Sequence, residues 1–392
     1  MSIVHRSTGS FALRKPLTVL AILSLVGCAG APVKPFEMTA DTSHLNHAQR
    51  VVWQESDEQD TAFKNMGVIY NDAALQTYLQ SVIYRLYPQF RGTIKIHALM
   101  SPVPDAFMMA NGSCYVQLGL LALLDNEAEL ATVLGHEGGH FVLQHAVQEH
   151  EYAENTSALG MALGITLIGP FLAVSSIYGY SREMEAQADT LGFQRLQTAG
   201  YAVNQSTMAF KRLDAYSNAL AIKEPYFFAD HPKLQERIRY FSSQAALIKQ
   251  TGGYVGAKEY LAATQKARMW VLQEDLSRQD YKSLIFFLED PWRLAKYLPQ
   301  ARYYLGRAYL LRGGTNDQKN AEVQLRQCIQ QIPDFAPPYE ALGKLMMQQH
   351  KNAYALKLFQ QYLQLSPDAP DAGYVQLYIK RLIPSHIAKD TP

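Results

Sequence analysis

Cysteine is nearly absent from this chain: Cys28, Cys114 and Cys328 are the only three in 392 residues. So few exclude a disulfide framework as the main source of stability. Cys114, in an expected strand with no activating neighbour in sequence, is a poor candidate nucleophile. Charge of one sign is lacking too, since 36 Lys and Arg stand against 35 Asp and Glu, a net +1. No basic run is interleaved with aromatics, so nothing argues for a nucleic-acid partner. Hydrophobic residues make up an ordinary 48%, against 18% charged. That composition, over this length, predicts a globular protein with room for two domains.

What the sequence does contain is His136-Glu137-Gly138-Gly139-His140. On a helix, His136 and His140 sit one turn apart on one face, so two imidazole nitrogens can meet one metal ion. Glu137 lies beside them, where a carboxylate can take a proton from a zinc-activated water. Asn126 followed by Glu129 reads as an N-terminal capping box, and Leu130, Val133, Leu134 and Phe141 form an apolar face. The paired glycines oppose helix by roughly 1 kcal/mol each relative to Ala, so close packing is expected to offset them. Histidines one turn apart also occur as hydrogen-bonded core residues, so the motif needs a third ligand. A second predicted helix, Ser181 to Gly200, supplies carboxylates four residues apart, Glu185 and Asp189. Glu185 fits as third metal ligand, with Asp189 orienting a ligating histidine through its free ring N–H. His145 and His150 extend the first helix and are expected to be solvated or capping rather than ligands of a second metal.

These residues resemble the zinc metallopeptidases that include the CAAX prenyl endopeptidases, the heat-shock peptidase HtpX and periplasmic, repeat-bearing BepA-type proteins. The likeness covers roughly residues 46 to 245: Met66 to Tyr87, Asp105 to Leu121, the motif helix, Ser181 to Phe193, His231-Pro232 and Arg237-Ile238 recur in the family's order. It implies one Zn2+ per chain held by His136, His140 and Glu185, with Glu137 as general base and Asp189 in support. It also implies that His231 lies near the metal, either steadying an oxyanion or holding the enzyme latent; read alone, His231 is a loop residue before a helix begun by Pro232. Gly138 and Asp105 depart from the family's usual residues, and they put helix tightness and the neighbouring strand in question.

Alternation over Thr93 to Leu99 and Ser113 to Leu118 predicts two strands of a small sheet. By the resemblance, the strand near Tyr115 borders the cleft, where a substrate backbone could add as an extra strand. Ser157 to Tyr178 carries no charge and is long enough on paper to span a membrane. A single crossing would separate His140 from Glu185 by about 30 Å of hydrocarbon, so the stretch reads as a buried helix or apolar cover of the cleft, with peripheral membrane contact the alternative.

At the N-terminus, Arg6, Arg14 and Lys15 precede an apolar run from Leu17 to Leu25 and then Leu25-Val26-Gly27-Cys28. This reads as a secretory signal, too short to span. It resembles a bacterial lipoprotein signal, implying removal of residues 1–27, lipidation of Cys28, a tether over 28–45 and, with Ala29 next, sorting to the outer membrane facing the periplasm.

Past Gly252, Gly253 and Gly256 the sequence changes character. Arg302 to Phe335 and Ala336 to Ala369 superpose as tetratricopeptide (TPR) units, with Tyr339, Leu342, Gly343, Ala355, Phe359 and Pro367 at the motif positions of the second. Lys258 to Pro299 is expected to be a degenerate repeat or packing partner, and Tyr374 to Leu382 a cap. A generic helical hairpin domain is the alternative.

The expected architecture is α+β, mostly α: a zinc metallopeptidase domain over 46–245 with a small sheet, then a TPR-like domain over 254–392. The expected function is zinc-dependent hydrolysis of misfolded or misassembled envelope proteins, with a protein partner on the repeats, a lipid anchor in the membrane and no nucleic acid. The competing class is a non-enzymatic or latent chaperone or scaffold for outer-membrane protein assembly.

Overall fold

The computed structural model describes residues 33–36, 45–155 (side chains to 152), 180–222, 234–248 and 252–383. The expected signal peptide, Cys28, His231 and the stretch 157–178 lie outside the described residues. Two helices, α1 (His47–Asn65) and α2 (Ala73–Leu86), precede strands β1 (Lys95–Leu99), β2 (Ala106–Met108) and β3 (Ser113–Gln117). Helices α3 (Leu118–Leu123), α4 (Glu127–Val142), α5 (His145–Asn155), α6 (Arg182–Thr198), α7 (Asn204–Leu220) and α8 (Leu234–Leu247) follow. The rest is helical: α9 (Ala257–Ser277), α10 (Tyr281–Leu288), α11 (Pro291–Leu294), α12 (Ala301–Arg312), α13 (Asp317–Gln331), α14 (Pro337–Gln348), α15 (Asn352–Leu365) and α16 (Ala372–Leu382).

β3 is the middle strand, parallel to β1 from Lys95 opposite Ser113 to Leu99 opposite Gln117, and antiparallel to β2 from Ala106 opposite Val116 to Met108 opposite Cys114. All five β3 residues are buried, as a strand covered on both faces requires. The expectation that the Tyr115 strand receives a substrate backbone is therefore corrected: both of its edges are taken. β2, packed beside α4, is an outer strand, pairing only with β3 among the described residues. On the far side of the sheet, Ile69 bridges Leu99 and covers part of the β1 edge.

Every residue of α4 is buried, its charged ones included, a position open to a helix that is largely apolar all round. Asn126 caps it by accepting from the Glu129 N–H at 2.9 Å, while the Glu129 side chain reaches back to the N–H of Asp125. The two buried glutamates of the first turn are held by cations and hydroxyls, as burial of charge demands. Glu127 accepts from Arg85 at 3.1 Å and from the hydroxyls of Tyr78 and Tyr201, and Glu129 accepts from Arg212 at 2.8 Å.

One apolar core gathers buried residues from Leu75 to Ala321, from both sides of the expected domain boundary. The helices after that point are tied to α3, whose last carbonyls need donors. Tyr260 donates to Leu121 O at 2.9 Å, Tyr297 to Ala122 O at 3.3 Å, and Arg268 to Leu124 O. The stretch from Lys258 to Pro299 is thus a packing partner of the sheet-bearing region. A second core, from Leu325 to Val375, is built from α13 to α16 as stacked helical hairpins. Cys114 and Cys328 are buried free thiols. No helix among the described residues is long and apolar enough to cross a membrane.

Asp275, on α9, is 2% exposed beside Ser283 of α10, and its Oδ2 has no hydrogen-bond partner. Burial pushes this carboxyl up to about 8 from an ordinary value of 3.8. A folded-state pKa above the unfolded one gives stability that is complete below the unfolded value and lost as pH rises through the folded one. The loss is therefore expected between about pH 4 and 8, at up to roughly 1.4 kcal/mol per pH unit. Asp275→Asn should raise the melting temperature at pH 8 and flatten its decline from pH 5; a variant melting with the parent's slope would locate the proton elsewhere.

Candidate metal centre

The donors come from two helices pressed backbone to backbone. A Cβ on Gly192 of α6 would lie 2.9 Å from Gly135 C and His136 N of α4, and one on Gly139 would lie 3.0 Å from Ala188 O. Gly138 serves another contact, because a Cβ there would lie 2.2 Å from the ring of buried Tyr87, whose hydroxyl donates to Gly135 O. Gly138 does not loosen the helix; it is the slot that seats Tyr87. Close packing offsets the poor helix propensity of this segment.

With the helices at this spacing, His136, His140 and Glu185 form a fully buried group of possible metal ligands. His136 Nε2 is 3.1 Å from His140 Nε2 and 3.5 Å from Glu185 Oε2, and His140 Nε2 is 3.4 Å from Glu185 Oε1. Zinc bonds of about 2.0–2.2 Å at tetrahedral angles set donors about 3.3–3.6 Å apart, so two of these spacings fit zinc and the two imidazoles need part only slightly to do so. Glu137 is not one of the converging donors. Its carboxyl is 4% exposed, and Oε1 has no hydrogen-bond partner. Burial first, and the carboxylates of Glu185 and Asp105 next, push the Glu137 carboxyl well above its usual value. Asp105 is itself buried and accepts from Gln117 Nε2 at 3.0 Å.

Asp189 Oδ1 lies 2.8 Å from His136 Nδ1. Asp189 is held in turn by Arg237 of α8, through Nε at 3.1 Å and a second bond from Nη2. Arg237 is 1% exposed and its guanidinium lies 4.2 Å from the centroid of the Phe210 ring. The role of Arg237 could not be read from spacing, since α8 and α6 meet only in the fold. Arg237→Met should weaken zinc binding by about 10–100-fold and lower stability by about 3–5 kcal/mol, since Asp189 loses its buried counter-charge. Chelator competition and melting curves measure the two effects; unchanged zinc affinity would show that Asp189 needs no such support.

His145 departs from its expected solvated or capping place. It is fully buried, not solvated, with Nδ1 3.0 Å from His140 Nδ1 and Nε2 3.2 Å from Gln187 Oε1. Burial pushes its imidazole below the ordinary histidine value. The Tyr180 ring stacks on His140 at 4.1 Å. Beside them, Phe36 rests 5.3 Å from the Phe141 ring and its N–H donates to Val142 O at 2.9 Å, closing an apolar pocket lined by Trp53, Met108, His140 and Val147.

Residues 71–245 match Peptidase family M48. The chain is 26% identical over 193 residues to "Mitochondrial metalloendopeptidase OMA1" of Schizosaccharomyces pombe, covering 45% of this chain and 57% of that one. It is 26% identical over 211 residues to "Metalloprotease YcaL" of Escherichia coli, covering 49% and 82%. To the "Putative beta-barrel assembly-enhancing protease" of Vibrio cholerae it is 26% identical over 196 residues, covering 45% and 40%. The chain thus spans little more than half of the yeast protein and less of the Vibrio one. The match to Peptidase family M48, the relatives named as metalloproteases and the buried group of His136, His140 and Glu185 agree on a zinc metalloendopeptidase site within residues 71–245.

Proposed function

We propose that the chain is a zinc endopeptidase of the cell envelope, anchored through Cys28, that hydrolyses misfolded or misassembled envelope proteins. The observation that carries the chemistry is the buried convergence of His136, His140 and Glu185, with Glu137 beside them and not spent on the metal. Zinc, when bound, supplies a Lewis acid that acidifies water and polarises a carbonyl. Glu137 then takes the water's proton and passes it to the leaving amine. Asp189 and Arg237 keep His136 oriented. β2 offers an outer strand on which an extended substrate is recognised by its main chain, a mode tolerant of varied sequences and so of unfolded clients. His231, by the family likeness, assists or gates this site.

The envelope setting rests on the signal-like N-terminus and on the name of the Vibrio relative. We read α12 to α16 as TPR-like repeats that present or select clients, on the strength of the 34-residue period and the stacked hairpins. The test is cleavage of a urea-unfolded outer-membrane β-barrel protein by the mature chain, abolished by a chelator and restored by zinc. Bound zinc without cleavage would favour a latent enzyme or a metal-bearing chaperone.

A further inference from the structure

His136 and His140 are equivalent in the motif but not in their surroundings. A metal-binding histidine ordinarily gives its second ring N–H to a carboxylate, a carbonyl or water, which fixes its tautomer and the aim of its ring. His136 has Asp189 for this. At His140 the group facing Nδ1 is another imidazole nitrogen, His145 Nδ1 at 3.0 Å. Two ring nitrogens at that distance bond only if one carries the proton and the other does not. If His140 turns Nε2 to the metal, its proton sits on Nδ1, so His145 must present a bare Nδ1 and carry its own proton on Nε2. That proton meets an acceptor, since Gln187 Oε1 lies 3.2 Å from His145 Nε2. Gln187 stands on α6 between Glu185 and Asp189, so one helix supplies a metal ligand, the support of His136 and the end of the chain that supports His140.

The backbone is shaped for this contact. In an unbroken helix His145 would stand about 140° around the axis from His140, facing away from it. Instead α4 ends at Val142, Gln144 takes a left-handed conformation with φ 56°, and α5 starts afresh at His145. A left-handed non-glycine residue is strained, and it is held here because the Gln144 side chain accepts from Gln49 Nε2 and donates to Lys34 O.

We propose that His145 is a positioning residue of the metal centre: it accepts the His140 Nδ1–H and, anchored by Gln187, fixes the tautomer and ring plane that aim His140 Nε2 at the zinc. This rests on the zinc reading given above. The test is zinc affinity by chelator competition on the mature chain, with the visible spectrum of the cobalt-loaded form and melting of the zinc-free form alongside. His145→Phe fills the space without an acceptor and should weaken zinc binding by about 10–100-fold and alter the cobalt spectrum. His145→Asn keeps a polar atom where Nδ1 stood and should bind zinc close to the parent value, whereas His145→Gln, whose amide reaches the Nε2 position, should be as weak as Phe. If the Phe variant does not fold, the contrast between Asn and Gln decides. Parent-like affinity in His145→Phe, or equal behaviour of Asn and Gln, would overturn the assignment. A parent chain that binds no zinc would instead overturn the metal site itself.

Discussion

Glu137→Gln should lower peptide-bond cleavage on the order of 10³-fold while leaving zinc content unchanged, the size of effect a positioned general base commonly has. The substitution keeps side-chain volume and shape in a site that is 4% exposed, so packing is not disturbed. It removes only the capacity to accept a proton. The ligand group does not include Glu137, so zinc should stay. Geometry supports the role, since Oε1 is buried without a partner and is not drawn into the ligand group. Metal analysis and cleavage of an unfolded β-barrel protein, run on the same preparations, decide the matter. Cleavage that survives would place the base elsewhere, and zinc lost with activity would make Glu137 a ligand.

What could be read from the sequence is what obeys helical spacing. The Asn126 cap, the face shared by His136 and His140, and Glu185 four residues before Asp189 are properties of single helices, and each recurs in the structure where the 3.6-residue repeat puts it. The residues that were missed depend on where one element meets another. Helical spacing alone carries His145 onward along α4, whereas the chain turns at Gln144 and brings it back beside His140. Arg237 reaches Asp189 from a helix 48 positions later, a pairing no local pattern encodes. The small sheet was visible as alternation, yet its order was not. Only the pairing of β2 with β3 shows that Tyr115 lies on the middle strand and that the short β2 is one of the two outer strands. Gly138 looked like a weakness because helix propensity considers the helix alone, whereas the Tyr87 ring occupies the space a side chain would need.

The same reasoning gives the second large effect, for the site depends on how close α4 and α6 lie. Gly192→Val should weaken zinc binding by more than about 100-fold, a loss beyond that of removing one supporting group, and destabilise the zinc-free chain by about 1–3 kcal/mol. Even the first added carbon would sit 2.9 Å from the backbone of Gly135 and His136, and backbone cannot rotate aside as a side chain can. The helices must separate or slide. Glu185 and Asp189 ride on α6 while His136 and His140 ride on α4, so any separation opens the donor spacings of 3.4 and 3.5 Å and the 2.8 Å support from Asp189 together. Gly373→Ala is the control, since an added carbon there meets nothing within 4 Å; it should leave zinc affinity unchanged. If Gly192→Val bound zinc as the parent does, the site would have to tolerate a shift between its two helices, and the glycine contact would serve packing alone.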